Sequence, residues 1–306
     1  MTDISRQPVT AVIGLGSMGM GMAQTLIRAG FETHGCDLRP ESLETLIAAS
    51  GHGAATPGEL SVTPDVTFIV VVNAAQTRSV LFGDNGLAAR LTPGALVVGC
   101  ATCDPDDARA IAAELAVLDI DYLDAPISGG SVKAAAGEMT IMASGPSTAF
   151  AKARSALDAL ARHVFEVGTE PGQGSQVKLV NQLLAGVHIA AAAEAMAYGI
   201  QGGCDPNVLY EVITQSAGNS WMFENRVPHI LAGDYNPHSA VDIFVKDLGI
   251  VAATGQATKF PLPMTAQALT MFTQASAMGY GREDDAGVIR VFPGVDLPAR
   301  AANDEG

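Results

Sequence analysis

Strand-like and helix-like patterns of apolar residues alternate along the first half of the chain. An apolar run at residues 9–13 is followed by a helical pattern at 18–29, which ends at Gly30, and by a second strand pattern at 33–36. The run at 66–72 is apolar at almost every position, which is typical of a strand buried on both faces of a parallel sheet. Further strand patterns lie at 95–99, 122–123, 139–143 and 164–167, and helices are predicted at 40–49 and 105–118. The alternation predicts an α/β fold with a doubly wound sheet of the Rossmann type.

The pattern changes after Pro171. Residues 173–200 form one long helical pattern, and the chain continues to about residue 278 as helices interrupted by Gly and Pro, without a convincing strand. The most apolar part, residues 183–200, contains His188 and Glu194 and is rich in alanine, so we interpret it as a buried helix rather than a membrane span. We therefore expect a Rossmann domain over residues 1–170 and an all-α domain over residues 171–306, which begins with the long helix.

A glycine-rich turn joins the first predicted strand to the first predicted helix. Gly14, Gly16 and Gly19 form the pattern G-x-G-x-x-G, and Asp37 ends the second strand. In this context the glycines permit a tight turn, close approach of a pyrophosphate and close packing of the helix on the strand. The helix N-terminus then holds the phosphates. The predicted cofactor loop comprises Gly14, Leu15, Gly16, Ser17, Met18 and Gly19.

The acid at the end of the second strand bears on which dinucleotide is bound. The Asp37 carboxylate can accept hydrogen bonds from both ribose hydroxyls and repels a 2′-phosphate, so the segment predicts NAD rather than NADP. Arg39, two residues further on, would weaken that preference. The alternative interpretation is a glycine-rich turn in an α/β protein that binds no nucleotide.

The overall charge of the chain indicates which classes of partner it is not expected to bind. It contains 32 Asp and Glu residues against 17 Lys and Arg, for a net charge of −15, and no run of basic residues. Nucleic acid and anionic membrane surfaces are therefore not expected as partners, and an anionic substrate would need a local site of cations and N–H groups. The N-terminus lacks a secretory pattern and the four cysteines do not suggest a disulfide framework, so we expect a cytoplasmic protein.

Cysteine and histidine spacing does not indicate a metal site. Cys100 and Cys103 match C-x-x-C, but there is no second pair for zinc and no thioredoxin-like arrangement around them. The six histidines are scattered without H-x-x-x-H spacing, so we predict no metal. His188 either lines a site on the long helix or is a structural histidine in the core.

A loop at residues 124–130 is a candidate carboxylate-binding segment. It follows a strand pattern and turns through Gly129 and Gly130, which leaves the Ser128 hydroxyl and several N–H groups to bind an anion. A turn that only requires two glycines explains the same residues equally well.

The start of the long helix carries a candidate base. Lys178 lies in an otherwise uncharged segment that is introduced by Gly172 and Gly174. At about 100° per residue, Asn181 and Gln182 flank the direction of Lys178. Partial burial near the positive end of a helix disfavours an ammonium group, which suits a lysine acting as a base near neutral pH. The alternative is a lysine whose amine extends to solvent.

Together these segments resemble the β-hydroxyacid dehydrogenase family, which includes 3-hydroxyisobutyrate dehydrogenase, tartronate semialdehyde reductase and, more distantly, 6-phosphogluconate dehydrogenase. Residues 14–19 are similar to the family's G-L-G-x-M-G cofactor loop and residues 124–130 to its D-A-P-V-S-G-G substrate loop. Residues 172–178 are similar to its G-x-G-x-x-x-K catalytic segment, and residues 246–247 to its K-D pair. The resemblance covers nearly the whole chain.

The resemblance implies an NAD-dependent dehydrogenase that assembles as a homodimer or homotetramer. It implies that Lys178 is the catalytic base. The implied substrate-binding residues are Ser128, Gly129, Gly130, Asn181 and Gln182, and the implied cofactor-binding residues beyond the glycine loop and Asp37 are Asn73, Thr102 and Lys246.

Five further stretches are similar to family members that act on four-carbon sugar acids: residues 72–76, 128–133, 182–188, 218–225 and 238–246. This similarity implies oxidation of L-threonate at C2 to 2-oxo-tetronate (2-dehydro-L-erythronate). Lys133 stands where most of the wider family has glycine, and Gln182 stands where most has asparagine. Activity on 3-hydroxyisobutyrate or tartronate semialdehyde remains an alternative. A dinucleotide-binding protein without turnover is an alternative of a different class.

Overall fold

The structure, a computed structural model, describes residues 7–298. Residues 1–6, on which the prediction about a secretory pattern partly rests, lie outside this range. Contacts divide the chain into two compact units, one that ends at Lys178 and one that begins at Leu179.

The first unit is built on one sheet, which has nine strands within the described residues. The strands are β1 (Thr10–Ile13), β2 (Thr33–Cys36), β3 (His52–Ala54), β4 (Val66–Ile69), β5 (Leu96–Gly99), β6 (Asp121–Asp124), β7 (Ile127–Ser128), β8 (Met139–Ser144) and β9 (Ala161–Gly168). Strands β3-β2-β1-β4-β5-β6 are parallel neighbours in that order. Strand β8 is antiparallel to β6 and β7 and parallel to β9. The predicted doubly wound sheet is confirmed, and the antiparallel part is an addition to it.

Within the described residues, six α-helices lie wholly in the first unit: α1 (Ser17–Arg28), α2 (Pro40–Ala48), α3 (Ala74–Phe82), α4 (Pro105–Ala116), α5 (Gly130–Ala136) and α6 (Ser147–Leu160). Helix α4 begins as its sequence predicts, because Asp104 caps it by accepting a hydrogen bond from Asp106 N and proline follows at the first helical position. The predicted strand at 66–72 is too long, since β4 ends at Ile69 and the chain turns there towards the cap of α3.

Both faces of the central strands are buried, in two separate apolar clusters. Val12, Phe68 and Val98 belong to one cluster, while their neighbours Ile13 and Ile69 belong to the other. Because side chains alternate along a strand, this division places a hydrophobic core on each face of the sheet. The carboxyl ends of β1, β4, β5 and β6 therefore lie on a scaffold packed from both sides.

The second unit is helical. It contains the larger part of α7 (Gln173–Gln201), followed by α8 (Pro206–Thr214), α9 (Trp221–Ala232), α10 (Val241–Ala257) and α11 (Pro263–Ala275). A π-helical turn, Ser276–Tyr280, and a 3-10 segment, Asp285–Val291, follow. Its core includes Met196 of α7 and a stacked pair, Phe244 and Phe272, with ring centroids 5.1 Å apart. The prediction of an all-α second part is confirmed.

Helix α7 is exceptional in length and apolarity. Among the described residues it alone is long and apolar enough to cross a membrane by length and composition, with a mean hydropathy of 1.5 in its most apolar window. Core helices of globular proteins meet the same criterion, and Ala185, Ile189 and Met196 of α7 lie in the apolar cluster of the second unit.

Candidate functional site

In the glycine-rich turn between β1 and α1, two glycines are closely packed and a third borders open space. Gly14 has a φ of +94°, and a Cβ there would lie 2.3 Å from Val70 O. A Cβ on Gly19 would lie 1.8 Å from Gly14 O, so no larger residue fits without movement of the backbone. A Cβ on Gly16 would meet no atom within 4 Å. Gly16 is also the N-cap of α1 and provides no capping side chain. The turn thus leaves space beside a helix N-terminus, which is the arrangement that holds a pyrophosphate.

Asp37 follows β2 and faces this turn. Its Oδ2 accepts a hydrogen bond from Leu15 N at 2.8 Å, and its Oδ1 accepts bonds from the backbone and side chain of Arg39 at 2.9 and 3.0 Å. Burial by itself raises the pKa of Asp37, but the hydrogen bonds from Arg39 and Leu15 outweigh that effect and hold the pKa below its ordinary value. Asp37 is therefore a carboxylate at neutral pH, beside a guanidinium whose side chain is 58 % exposed.

Asn73 and Thr102 lie at the carboxyl ends of neighbouring strands. Asn73 follows β4 and caps α3 by accepting a hydrogen bond from Gln76 N at 2.9 Å, so its carbonyl oxygen already has a structural role. Thr102 follows β5 and is half-buried. Strand order reverses between β1 and β4, and ligands of doubly wound sheets bind beyond the carboxyl ends of the strands at that position. These residues and the open position at Gly16 fit a dinucleotide.

The loop after β6 turns through two glycines with positive φ. Gly129 has a φ of +136° and Gly130 a φ of +75°, and Ser128, at the end of β7, is half-buried. A Cβ on Gly129 would lie 3.0 Å from Cβ and Cδ of Lys133, so the stem of Lys133 covers this turn. The prediction that this loop binds a carboxylate stays a prediction.

The first turn of α7 is attached to the sheet by a buried acid that the sequence did not identify as an anchor. Asp124, at the end of β6, is 1 % exposed. Its Oδ2 accepts hydrogen bonds from Gly172 N at 2.9 Å and Ser175 N at 2.8 Å, and its Oδ1 accepts one from Ser175 Oγ at 2.7 Å. Burial raises the pKa of Asp124 above its ordinary value, and these hydrogen bonds oppose that shift. An acid directly after a buried strand was the available signal, but nothing in the sequence identified its partners.

Lys178 follows this anchored turn on α7. Lys178 is 6 % exposed, so the predicted burial of this residue is present.

In the second unit, Asn181, Gln182 and Lys246 lie in one hydrogen-bonded row that includes Asp247. Gln182 Nε2 donates to Asp247 Oδ2 at 2.6 Å, and Lys246 Nζ donates to Asp247 Oδ1. Asn181 Nδ2 donates to Gln182 Oε1 at 3.0 Å. Gln182 is 8 % exposed and Asp247 is 2 % exposed. Asp247 of the K-D pair is thus linked to Asn181 through Gln182. Two predicted substrate residues, Asn181 and Gln182, and one predicted cofactor residue, Lys246, therefore belong to a single hydrogen-bonded network.

Cys100, Cys103 and His188, which the sequence raised as candidates, lie in buried or half-buried positions. Cys100 and Cys103 are buried free thiols, and burial raises the pKa of Cys103 to about 12. His188 is half-buried on α7. Within residues 7–298 no three His, Cys, Asp or Glu side chains are grouped so as to hold a metal ion.

Two protein-family models match the chain. A model of the NAD-binding domain of 6-phosphogluconate dehydrogenase matches residues 9–168. A model described as the NAD-binding part of NADP-dependent 3-hydroxyisobutyrate dehydrogenase matches residues 172–292. Between them the two matches account for nearly all of the described residues.

Individual relatives are similar over almost the same range. An L-threonate dehydrogenase of Cupriavidus necator is 58 % identical over 290 residues, covering 95 % of this chain and 98 % of that protein. An L-threonate dehydrogenase of Escherichia coli K12 is 53 % identical over 288 residues, covering 94 % of this chain and 95 % of that protein. The crystal structure of a 3-hydroxyisobutyrate dehydrogenase from Salmonella typhimurium is 53 % identical, with a TM-score of 0.88, and covers 92 % of this chain and 99 % of that one.

Proposed function

The chain belongs to the β-hydroxyacid dehydrogenase family, and from this premise we propose that it oxidises L-threonate at C2 to 2-oxo-tetronate, with NAD as the hydride acceptor. That it is an NAD(P)-dependent hydroxyacid dehydrogenase acting on a small molecule follows from the family. The observation that carries the finer proposal is the identity of 58 % and 53 % to two L-threonate dehydrogenases over nearly the full chain.

Lys178 is the proposed general base. In the oxidation, the proton of the C2 hydroxyl moves to Lys178 Nζ while the electron pair of the C2–H bond leaves as hydride. When bound, NAD supplies the carbon that accepts that hydride. The burial of Lys178 supports the role, because it keeps the side chain out of bulk solvent. A positioned base contributes about 10²- to 10⁴-fold to the rate.

The remaining predicted residues bind and orient. Ser128 and the N–H groups of Gly129 and Gly130 are proposed to hold the carboxylate, which meets the need for a local anion site in a chain of net charge −15. Asn181 or Gln182 is proposed to orient the hydroxyls of the substrate. Besides the glycine turn, the residues proposed to contact NAD are Asp37, Asn73, Thr102 and Lys246.

NAD is proposed over NADP because of the charge at Asp37. A 2′-phosphate at the ribose would approach a carboxylate that the hydrogen bonds from Arg39 and Leu15 keep ionised. Two observations oppose the proposal. Arg39 would weaken the preference for NAD, and the family model that matches residues 172–292 is described as that of an NADP-dependent enzyme. Comparison of kcat/KM for the two cofactors decides between them, and a preference for NADP would refute the proposal.

The proposal also covers the roles of the two domains, the assembly of the protein and its location in the cell. Residues 1–170 are proposed to form the NAD-binding domain and residues 171–306 the substrate and oligomerisation domain of a cytoplasmic homodimer or homotetramer. Light scattering of the purified protein measures the oligomeric state, and a monomeric mass would exclude this assembly.

A substrate panel tests the reaction. Reduction of NAD is measured with four-carbon sugar acids of every stereochemistry and with 3-hydroxyisobutyrate and glycerate. We expect the highest kcat/KM for L-threonate. The name of the Salmonella typhimurium structure favours 3-hydroxyisobutyrate as the second candidate, and a higher kcat/KM for that acid would establish it instead. If no acid reduced NAD, a binding protein without turnover would be the better interpretation.

Two substitutions of Lys178 test the base. Lys178→Ala is expected to lower kcat by about 10²- to 10⁴-fold while the affinity for NAD stays nearly unchanged. Lys178→Arg keeps the positive charge but cannot lose its proton near neutral pH, so it is expected to be equally inactive. Retention of most turnover by Lys178→Arg would show that charge, rather than proton transfer, is what Lys178 supplies.

A further inference from the structure

Three backbone N–H groups around the start of α7 are bound by side chains of the sheet. The first N–H groups of a helix have no acceptor within the helix itself. Gly172 N and Ser175 N donate to Asp124 Oδ2 at 2.9 and 2.8 Å. Gly174 N donates to Ser144 Oγ at 2.9 Å. Asp124 and Ser144 are register partners of the antiparallel strands β6 and β8, so two neighbouring strands together hold the first turn of α7.

Close packing leaves this turn little room to shift. A Cβ on Gly174 would lie 2.5 Å from Met142 O and 2.6 Å from Asp124 O. Gly172 has a φ of +95°, and a Cβ there would lie 2.9 Å from Pro105 O. The turn therefore rests directly on the backbone of β6, β8 and α4.

The hydroxyl of Ser175 joins the turn to Asp124 and to Cys103. Its Oγ donates to Asp124 Oδ1 at 2.7 Å and lies 3.5 Å from Cys103 Sγ. Because a hydroxyl has one hydrogen and a carboxylate only accepts, that hydrogen is directed to Asp124 and the Cys103 thiol donates to Ser175. All three residues are buried, so these bonds form away from bulk water.

The residues joined by Ser175 adjoin two residues of the proposed reaction. Lys178 follows Ser175 by three positions, which is slightly less than one turn of an α-helix. Thr102, which is proposed to contact NAD, directly precedes Cys103. The base and a cofactor residue therefore both lie next to groups that meet at one buried hydroxyl.

We propose that Ser175 and Ser144 are positioning residues of the dehydrogenase reaction, which hold Lys178 in place by fixing the first turn of α7. The inference rests on the proposed function, in which Lys178 is the general base. Ser175 and Ser144 are 1 % and 0 % exposed, so they act through the turn and do not contact the substrate. A displacement of about 1 Å at a reacting group can cost about 10²-fold in rate.

Substitution of Ser175 by alanine tests this role. Ser175→Ala removes the hydroxyl and keeps the N–H bond to Asp124, so the turn is loosened rather than released. We expect kcat for the best hydroxy acid to fall by roughly 10- to 100-fold. The KM for that acid and the Kd for NAD should change by less than about twofold, because Ser175 contacts neither ligand.

Thr10→Val is the matched control for the loss of a buried hydroxyl. Thr10 lies in the same unit at the amino end of β1, where its Oγ1 donates to Glu32 O at 3.2 Å and lies 3.0 Å from Thr33 Oγ1. Thermal melting compares the stability of this variant with that of Ser175→Ala. We expect a similar loss of stability and an unchanged kcat. An equal fall of kcat in both variants would show that loss of stability explains the effect, and the inference would fail.

A double variant tests whether Ser175 acts through Lys178. Ser175→Ala is combined with Lys178→Ala, and circular dichroism verifies that the protein is folded. If Ser175 only positions Lys178, the double variant keeps the residual kcat of Lys178→Ala alone. If the two losses multiply, Ser175 has a separate role and the inference is refuted.

Ser144→Ala covers the case in which Ser175→Ala does not fold. It removes the acceptor of Gly174 N from a different strand, and we expect the same fall in kcat with unchanged affinity for NAD. Unchanged kcat in either serine variant, once folded, would overturn the inference. Lys178→Ala tests the proposed function separately, because retention of most turnover in that variant would refute the base whatever the serine variants show.

Discussion

Substitution of Asp124 tests how the start of α7 is held. The carboxylate accepts three hydrogen bonds, from Gly172 N, Ser175 N and Ser175 Oγ, at a position that is 1 % exposed. Asp124→Ala leaves three buried donors without their acceptor. At about 1 kcal/mol for each hydrogen bond, the expected loss in free energy of unfolding is about 3 kcal/mol.

Asp124→Asn should cost much less. Its amide oxygen can accept the two N–H bonds, and the Ser175 hydroxyl can rotate to accept from the new NH₂ group. Burial raises the pKa of Asp124, which means that placing its negative charge in the interior costs free energy. The neutral amide of asparagine avoids that cost. We therefore expect Asp124→Asn to lie within about 1 kcal/mol of the unmodified protein.

The raised pKa also predicts a pH dependence. The folded protein binds the Asp124 proton more tightly than the unfolded chain, so the contribution of this group to stability is greatest below its unfolded pKa. That contribution declines as the pH rises through the folded pKa. The dependence should be absent in Asp124→Asn, so the stability difference between the two proteins shifts in favour of the variant as the pH is raised.

Urea unfolding followed by circular dichroism at several pH values measures these differences. Asp84→Ala, which removes an exposed acid from the same unit, is the control and should change stability by less than about 0.5 kcal/mol. An Asp124→Ala variant as stable as Asp124→Asn would refute the proposed anchoring of α7.

Three further predictions concern the glycine turn, cofactor choice and the thiols. Gly19→Ala should unfold or misfold the first unit, because its Cβ would lie 1.8 Å from a backbone oxygen. Gly16→Ala should fold normally but weaken NAD binding by roughly tenfold or more. Thermal melting measures the folding of both variants, and cofactor titration measures their affinity for NAD. Asp37→Ala should leave Arg39 without its carboxylate partner and shift the ratio of kcat/KM values towards NADP by about tenfold or more, in steady-state assays. In thiol labelling of the native protein, only Cys204 should react rapidly, because the other three cysteines are buried and burial raises the pKa of each.

For each of these three predictions, a specific result would contradict the reasoning. Normal folding of Gly19→Ala, or unchanged NAD affinity in Gly16→Ala, would contradict the account of the turn. An unaltered cofactor ratio in Asp37→Ala would remove that acid from cofactor choice. Rapid native labelling of more than one thiol would show that the buried cysteines are accessible.

Local features of the sequence were sufficient for much of the first unit. The apolar runs predicted the central strands, and the capping sequence at Asp104 predicted the start of α4, because these signals act over a few neighbouring residues. Helices α3, α5 and α6 and the short strands β3 and β7 were not predicted. Their patterns are short or dominated by small residues, and they pack against elements distant in sequence, as α5 and α6 do against α1.

The sequence by itself determined the doubly wound sheet, the helical second part, the glycine turn and the lysine on α7, because each is encoded in periodicity or in turn chemistry within one segment. Only the tertiary structure decided that Asp124 anchors Ser175, 51 residues away, and that Gln182 is bonded to Asp247, 65 residues away. Such pairs depend on how whole elements pack, and no spacing along the chain records which buried carboxylate a distant hydroxyl or amide will meet.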